Sequence, residues 1–339
     1  MLTIYPKYKD EYAEAFCKMF MSRDVKYKRY LFGTNTIAQK IAEYVNVDGF
    51  INTVSNEDSF MNKPMIQSLD DLPEDSLVIN CVLLSVVSVQ YKLLGYSWRS
   101  IDCYRFITEV NLPIDIFHFT GWRNDIEHNI EEYKQIYNLL SDKSSKNIFA
   151  KMINFKVTAD IHYLYGFNTD IEGQYFDNCL SLPSNPVFCD VGGFDGFTTK
   201  RFVTLYPNYG KVYFFEPEDN NMHIAKSNLE LYDNIVFIQK GCGSVEQHLN
   251  FYADADRSVI TETGNHIIEI DRLDCLVDGK VDFIKMDIEG AEEEALVGAS
   301  DTIKKYHPNI AISVYHKPSD FWKIPKQILN IRTRLQHRS

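Results

Sequence analysis

The sequence predicts an α/β protein whose C-terminal half is a doubly wound, parallel sheet. Three observations carry that prediction. Residues 186–315 alternate short apolar runs with stretches of helical periodicity. The first run, Val187-Phe188-Cys189-Asp190-Val191, leads straight into Gly192-Gly193-Phe194-Asp195-Gly196, a glycine turn opening a helix. The second run, Lys211-Val212-Tyr213-Phe214-Phe215, ends on the acid Glu216. A glycine turn lets a ligand lie against the backbone, and an acid closing the next strand can bind a ribose. Together they point to a nucleoside-bearing cofactor.

The chain has 339 residues, which suits two domains plus connectors. Its net charge of −12 argues against nucleic acid or an anionic membrane as the main partner. The seven cysteines are scattered, odd in number and form no C-x-x-C pair, as expected for reduced thiols in a cytoplasm. The first residues lack an apolar signal core. The run from Leu77 to Leu94 is broken by Asn80, Ser85, Ser88, Gln90 and Lys92, so it reads as packed elements and not as a membrane span. The aromatic share of 14% is expected to serve core packing, with sugar-stacking surfaces as the alternative.

Residues 1–28 read as helical, with Tyr12, Phe16, Met19 and Phe20 at helical spacing. A strand, turn and helix follow at 30–38, then strand-like pieces at 49–54 and 77–82. Residues 1–108 are therefore expected to form a small Rossmann-like α/β domain. Its turn carries Gly33-x-Asn35-x-x-Ala38, a degraded dinucleotide pattern whose second strand ends near Asn52 and not on an acid. A structural role is the expectation there, with a nucleotide or sugar-nucleotide site as the alternative. Residues 109–180 read as a helical connector, with helices at 126–140 and 147–165 and a polar break at 141–146.

Pro183 and Pro186 precede the third segment, 181–339. Its strands are expected at 186–189, 212–215, 235–239, 281–286 and 310–315, with helices at 198–206, 222–231 and 292–305. Short alternating pieces between Gly243 and Val277 suggest a β insertion. Ligands of such sheets sit at the carboxyl ends of the strands. Asp190, Glu216, Lys240-Gly241, Asp287 and His316 fall at those ends.

The glycine spacing separates two cofactors. A nicotinamide dinucleotide calls for G-x-G-x-x-G/A, with its pyrophosphate on the helix N-terminus. Here the pattern is Asp190-x-Gly192-x-x-x-Gly196, wider and led by an acid. S-adenosylmethionine has no phosphate and carries cationic groups, so this turn suits it better.

The run Val281-Asp282-Phe283-Ile284-Lys285-Met286-Asp287-Ile288-Glu289-Gly290-Ala291-Glu292 resembles the signature of FkbM-type methyltransferases. The resemblance spans roughly residues 145–325. It includes Gln174-Tyr175-Phe176, Phe215-Glu216-Pro217, Ile270-Asp271-Arg272-Leu273-Asp274 and Gly298-Ala299. It implies an S-adenosylmethionine-dependent O-methyltransferase acting on a hydroxyl of a sugar, glycan or glycan precursor. It also implies that Asp190, Gly192 and Glu216 contact the cofactor, and that Asp287 lies beside the methionine moiety and the acceptor. Gly193, Gly196, Pro217 and Gly241 complete the expected cofactor set. The usual methyltransferase sheet ends in two further strands. Here about two dozen residues follow Tyr315, of which 321–331 look helical and the last eight are basic. The chain is truncated, its end is altered, or the sheet is closed otherwise.

A sugar hydroxyl is a poor nucleophile, so a base should take its proton during attack. His316 is the candidate catalytic base. Asp287 could orient that imidazole, act as base itself, or bind a divalent metal. Asp287 and Glu289 stand two apart and offer hard oxygen ligands. The simpler reading is that Glu289, Glu292 and Glu293 charge a helix N-terminus, and no metal is expected. Lys285 shares a face with Asp287 by alternation and reads as a local ion pair, with acceptor binding as the alternative. Arg257 and Ser258 are candidate acceptor contacts, and His307-Pro308 reads as a helix terminator. The competing functions are an NAD(P)-dependent oxidoreductase and a non-catalytic nucleotide-binding or scaffold protein. The oxidoreductase lacks a placed Tyr-x-x-x-Lys pair, since the one present, Tyr5 to Lys9, precedes any cofactor strand. The sequence leaves oligomerisation open.

Overall fold

The computed structural model describes residues 2–6, 9–116, 119–167, 170, 173–176, 180–254, 257–260 and 266–333. The chain divides into two compact units, Met1–Thr169 and Asp170–Ser339.

Unit 1 opens with helix α1 (Glu11–Met21). The helix is shorter than the 1–28 the apolar spacing suggests, because Asp10 caps it by accepting from the Ala13 N–H and Ser22 ends it. Strands β1 (Lys28–Phe32), β2 (Gly49–Ile51), β3 (Ser59–Phe60), β4 (Lys63–Ile66), β5 (Ser76–Asn80) and β6 (Arg99–Asp102) form a sheet of order β3-β4-β2-β1-β5-β6. It is parallel except for the short β3–β4 pair. Helices α2 (Thr36–Tyr44) and α3 (Val86–Leu93) connect its strands, and α4 (Cys103–Val110) follows β6. Alternate residues divide between the two faces. Leu31, Phe50, Leu77 and Ile79 pack with α1, and Tyr30, Phe32, Ile51 and Val78 pack with Leu93 and Trp98. Three helices follow: α5 (Phe119–His128), α6 (Ile130–Leu139) and α7 (Lys143–Thr158). In the Gly33 turn, Asn35 caps α2 by accepting from the Ile37 and Ala38 N–H groups and donates to the Cys81 carbonyl. Asn52 donates to Thr34 Oγ1. Both polar residues of that turn thus hold the chain itself.

Unit 2 holds β7 (Val187–Val191), α8 (Phe197–Leu205), β8 (Lys211–Phe215), α9 (Asp219–Asn228) and β9 (Ile235–Ile238). Glu218 caps α9 by accepting from the Asn221 N–H, which starts this helix three residues before the apolar pattern does. The insertion is a sheet of β10 (Gly241–Cys242), β11 (Gln247–Asp254), β12 (Arg257–Ile260) and β13 (His266–Asp271), in the order β10-β13-β11-β12. Then come α10 (Leu273–Leu276), β14 (Phe283–Met286), α11 (Glu292–Gly298), α12 (Ser300–Tyr306), β15 (Asn309–Ile312) and α13 (Asp320–Thr333). The expected helix 292–305 is two helices meeting at Ala299, where Gly298 lies so close to the Gly243 carbonyl that a Cβ would sit 1.9 Å from it. His307, in the left-handed region at φ 50°, ends α12.

The main sheet of unit 2 is wholly parallel, in the order β15-β14-β7-β8-β9. Among the described residues no strand follows β15. Phe188, Val212 and Phe283 face α8, and Phe214 faces α9. Cys189, Val191, Tyr213, Phe215, Ile284 and Met286 pack with α11 and α13 on the other side. The strand order reverses between β7 and β14. A doubly wound sheet opens its ligand crevice at such a reversal. No helix among the described residues is long and apolar enough to cross a membrane.

Candidate active site

The glycine turn follows β7 and is tied to both neighbouring strands. The N–H groups of Gly192 and Gly193 donate to the Phe215 carbonyl at 3.0 and 2.9 Å, and the Asp287 N–H donates to the Val191 carbonyl at 3.1 Å. Gly192 has φ +79°, and a Cβ there would lie 2.1 Å from the Asp287 carbonyl oxygen. A Cβ on Gly193 would lie 2.2 Å from the Phe214 ring. These two glycines are demanded by the turn's own packing. Gly196, at φ +86°, is the N-cap position of α8 and packs on Leu229. Phe194 stands between them at φ 52°, a strained conformation for a bulky side chain, and is 61% exposed.

Glu216 is buried at the end of β8. One carboxylate oxygen accepts the Phe194 N–H and the other the Glu218 N–H, both at 3.0 Å. Burial raises its pKa, and those two N–H groups oppose the rise. The Asn221 side chain also hydrogen-bonds this carboxylate, which leaves one of its four lone-pair sites for a further donor. Gly241 opens β10, and a Cβ on it would come within 3.8 Å of Pro217. Lys240 pairs with Glu269 and Asp271, both at 3.4 Å.

Asp190 does not line an open surface. It is fully buried, with Oδ2 accepting from Thr199 Oγ1 at 2.7 Å and Oδ1 3.1 Å from Lys285 Nζ. The ammonium also donates to the Gly192 carbonyl. Asp190 and Lys285 are directly opposed in the β7–β14 register. The expected ion pair of Lys285 is therefore with Asp190, and the pair clamps the turn.

Asp287 follows β14, and five side chains converge around it. Tyr175 Oη donates to its Oδ2 at 2.8 Å, and Tyr315 Oη to its Oδ1 at 3.2 Å. His316 Nε2 lies 3.0 Å from Asp287 Oδ1 and 3.4 Å from Glu292 Oε1. His316 Nδ1 lies 3.6 Å from Glu289 Oε2. Burial works against an ionised Asp287, but the hydrogen bonds from His316 and Tyr175 and the charge of Lys285 outweigh it and hold the carboxyl at about 2. For His316, burial favours the neutral ring. The hydrogen bond to Asp287 and the charges of Glu292 and Glu289 outweigh that and raise its pKa. Burial and the Asp287 charge push the phenols of Tyr175 and Tyr315 up, so both stay donors.

Its position at a helix start makes Glu292 look like helix-terminal charge. Its side chain turns back instead, accepts the Ile288 N–H at 2.9 Å and is buried. Tyr175 and Tyr315 carried no sequence signal beyond their place in the family-like run or at a strand end. The side chains of Arg257 and Ser258, proposed for the acceptor, fall outside those the structure describes, as do Cys179 and residues 334–339.

Residues 190–339 match the family model described as "Methyltransferase FkbM domain". Among solved structures, the chain resembles the methyltransferase FkbM from Methylobacillus flagellatus KT. The two are 20% identical, the match covers 95% of this chain and 88% of that one, and the TM-score is 0.77, which shows a shared fold. Human N-acetylserotonin methyltransferase in complex with SAM also matches, at 13% identity over 59% of this chain and 49% of that one, but its TM-score of 0.24 carries no argument. No curated protein sequence matches. The turn, Glu216, Asp287 and His316 all lie inside the matched residues, so the match to the FkbM methyltransferase domain falls on the second unit and takes in its candidate site.

Proposed function

We propose that unit 2 transfers a methyl group from S-adenosylmethionine to a hydroxyl of a sugar, glycan or glycan precursor. One observation carries the reading. The glycine turn, Glu216 and the Asp287–His316 pair are tied together at the reversal point of one parallel sheet. The residues fit the cofactor. Glu216 is an ionisable acceptor at the strand end with a lone pair left for a ribose hydroxyl, and the backbone at Gly192 and Gly193 carries no side chain. S-adenosylmethionine, when bound, supplies the sulfonium methyl. Asp190 and Lys285 act behind the turn and hold its shape. Asp287 and His316 stand at the acceptor end, where a neutral hydroxyl needs its proton drawn away as it attacks. The sugar itself is supported by resemblance alone. The scattered thiols, odd in number and without a C-x-x-C pair, suit a cytoplasmic enzyme.

The test is calorimetry with S-adenosylhomocysteine, followed by methyl transfer to a panel of nucleotide sugars and glycan fragments. We expect tight binding of S-adenosylhomocysteine that Glu216→Ala abolishes. Preferential binding of NAD would sink the reading.

A further inference from the structure

We propose that Asp287, Glu292 and His316 form a binding site for one first-row divalent cation, of the manganese or zinc class. The proposal rests on the methyl-transfer reading and assigns how the Asp287–His316 pair serves the acceptor: as ligands that give a hydroxyl oxygen a cation to lean on.

The geometry brings three donor atoms together. One donor atom from each of the three residues lies within 4.8 Å of the others. His316 Nε2 is 3.0 Å from Asp287 Oδ1 and 3.4 Å from Glu292 Oε1. Ligands about 2.1 Å from a common ion stand about 3.0–3.4 Å apart, depending on whether the shell is octahedral or tetrahedral. The second observation is Glu292 itself. It is 1% exposed, and its Oε2 is buried without a hydrogen-bond partner. A buried carboxylate oxygen without a partner is costly. Among the described residues, the imidazole is the one chargeable cation within ion-pair distance of Glu292. Two carboxylates around one imidazole remain net negative even when the ring is protonated. A divalent ion would balance them.

The groups around the ligands also fit. Asp287 is oriented by two tyrosine hydroxyls and Glu292 by the Ile288 N–H. His316 turns its second nitrogen toward Glu289, 3.6 Å away. A metal-ligating histidine commonly presents its other ring nitrogen to such an outer carboxylate. One imidazole with two carboxylates favours manganese or zinc over calcium, which prefers an all-oxygen cage.

The experiment uses the full chain, stripped with EDTA and titrated with Mn²⁺ by electron paramagnetic resonance and with Zn²⁺ by competition. Glu292→Gln and His316→Ala are run beside it, with S-adenosylhomocysteine binding and circular dichroism as folding controls. We expect about one ion per chain, with affinity weakened at least about tenfold in each variant that folds. No binding at millimolar Mn²⁺ or Zn²⁺ overturns the proposal, as does unchanged affinity in either folded variant. If the variant of the buried Glu292 does not fold, His316→Ala carries the test alone. If S-adenosylhomocysteine still binds the EDTA-treated chain while neither ion does, the cation site falls and the methyltransferase reading stands. Loss of both fails them together.

Discussion

The clamp behind the glycine turn makes a sharp prediction. Lys285 and Asp190 are a buried pair, with side chains 4% and 0% exposed and charges 3.1 Å apart. Replacing Lys285 by Met keeps the length and apolar volume but leaves Asp190 with Thr199 as its remaining hydrogen-bond partner. Breaking a buried pair from one side costs about 3–5 kcal/mol, because the charge left behind is uncompensated. Removing both charges is often close to neutral. Lys285→Met and Asp190→Asn should therefore each destabilise unit 2 by about that amount, while the double variant loses far less than their sum. The assay is urea unfolding followed by circular dichroism, read as a double-mutant cycle. S-adenosylhomocysteine calorimetry on the same proteins reads the turn, since the ammonium also holds the Gly192 carbonyl. A loss below about 1 kcal/mol in Lys285→Met, the range of an exposed pair, would refute the reasoning. So would strict additivity of the two changes.

Two further outcomes follow from backbone and burial. Gly192→Ala meets both a left-handed φ and the Asp287 carbonyl at 2.1 Å, so it should cost roughly 2–5 kcal/mol and weaken cofactor binding. Gly279→Ala is the control, because it has φ +100° with nothing within 4 Å and should lose only the strain; equal losses in the two urea midpoints would show that contact is irrelevant. In unit 1, burial pushes the Asp102 carboxyl up to about 6, against the Arg105 N–H and charge. Between about pH 4 and 6 the folded state keeps a proton that the unfolded chain has released, so stability falls as pH rises through that window, by roughly 3 kcal/mol at most. Asp102→Asn keeps the side-chain oxygen that caps α4 and should flatten this slope. Fluorescence of the buried Trp98 and Trp122 during urea unfolding at both ends of the window reads it, and an unchanged slope would defeat the assignment.

The strands of unit 2 were legible because a parallel sheet covered on both faces reads as continuous apolar runs. β6 was not: Arg99-Ser100-Ile101-Asp102 is short and polar at both ends, and the sheet around it supplies what propensity lacks. β4 contains Pro64, which argues against a strand until its place near the sheet edge is known. In the site, alternation correctly put Lys285 and Asp287 on one face. It could not name Asp190 as the partner, because that needs the lateral order β14-β7, a property of the sheet and not of either strand. Glu292 was hidden for a related reason. A glutamate at a helix start is commonplace, and only the path of the chain through Ile288 turns its carboxylate inward.

The lateral order of the main sheet also has a consequence in time. β7 has two partners: β8, which begins twenty residues after β7 ends, and β14, which begins more than ninety residues after it. As the chain leaves the ribosome, the turn can settle against β8 and Glu216 long before Lys285 and Asp287 exist. Distant pairings of this kind make parallel sheets slow to complete. Until β14 is made, Asp190 has no ammonium opposite it and one edge of β7 stays open to other chains. The strand that brings Asp287 to the site is therefore also the one that closes the sheet, and a chain stalled before it would hold half a crevice and an unguarded edge.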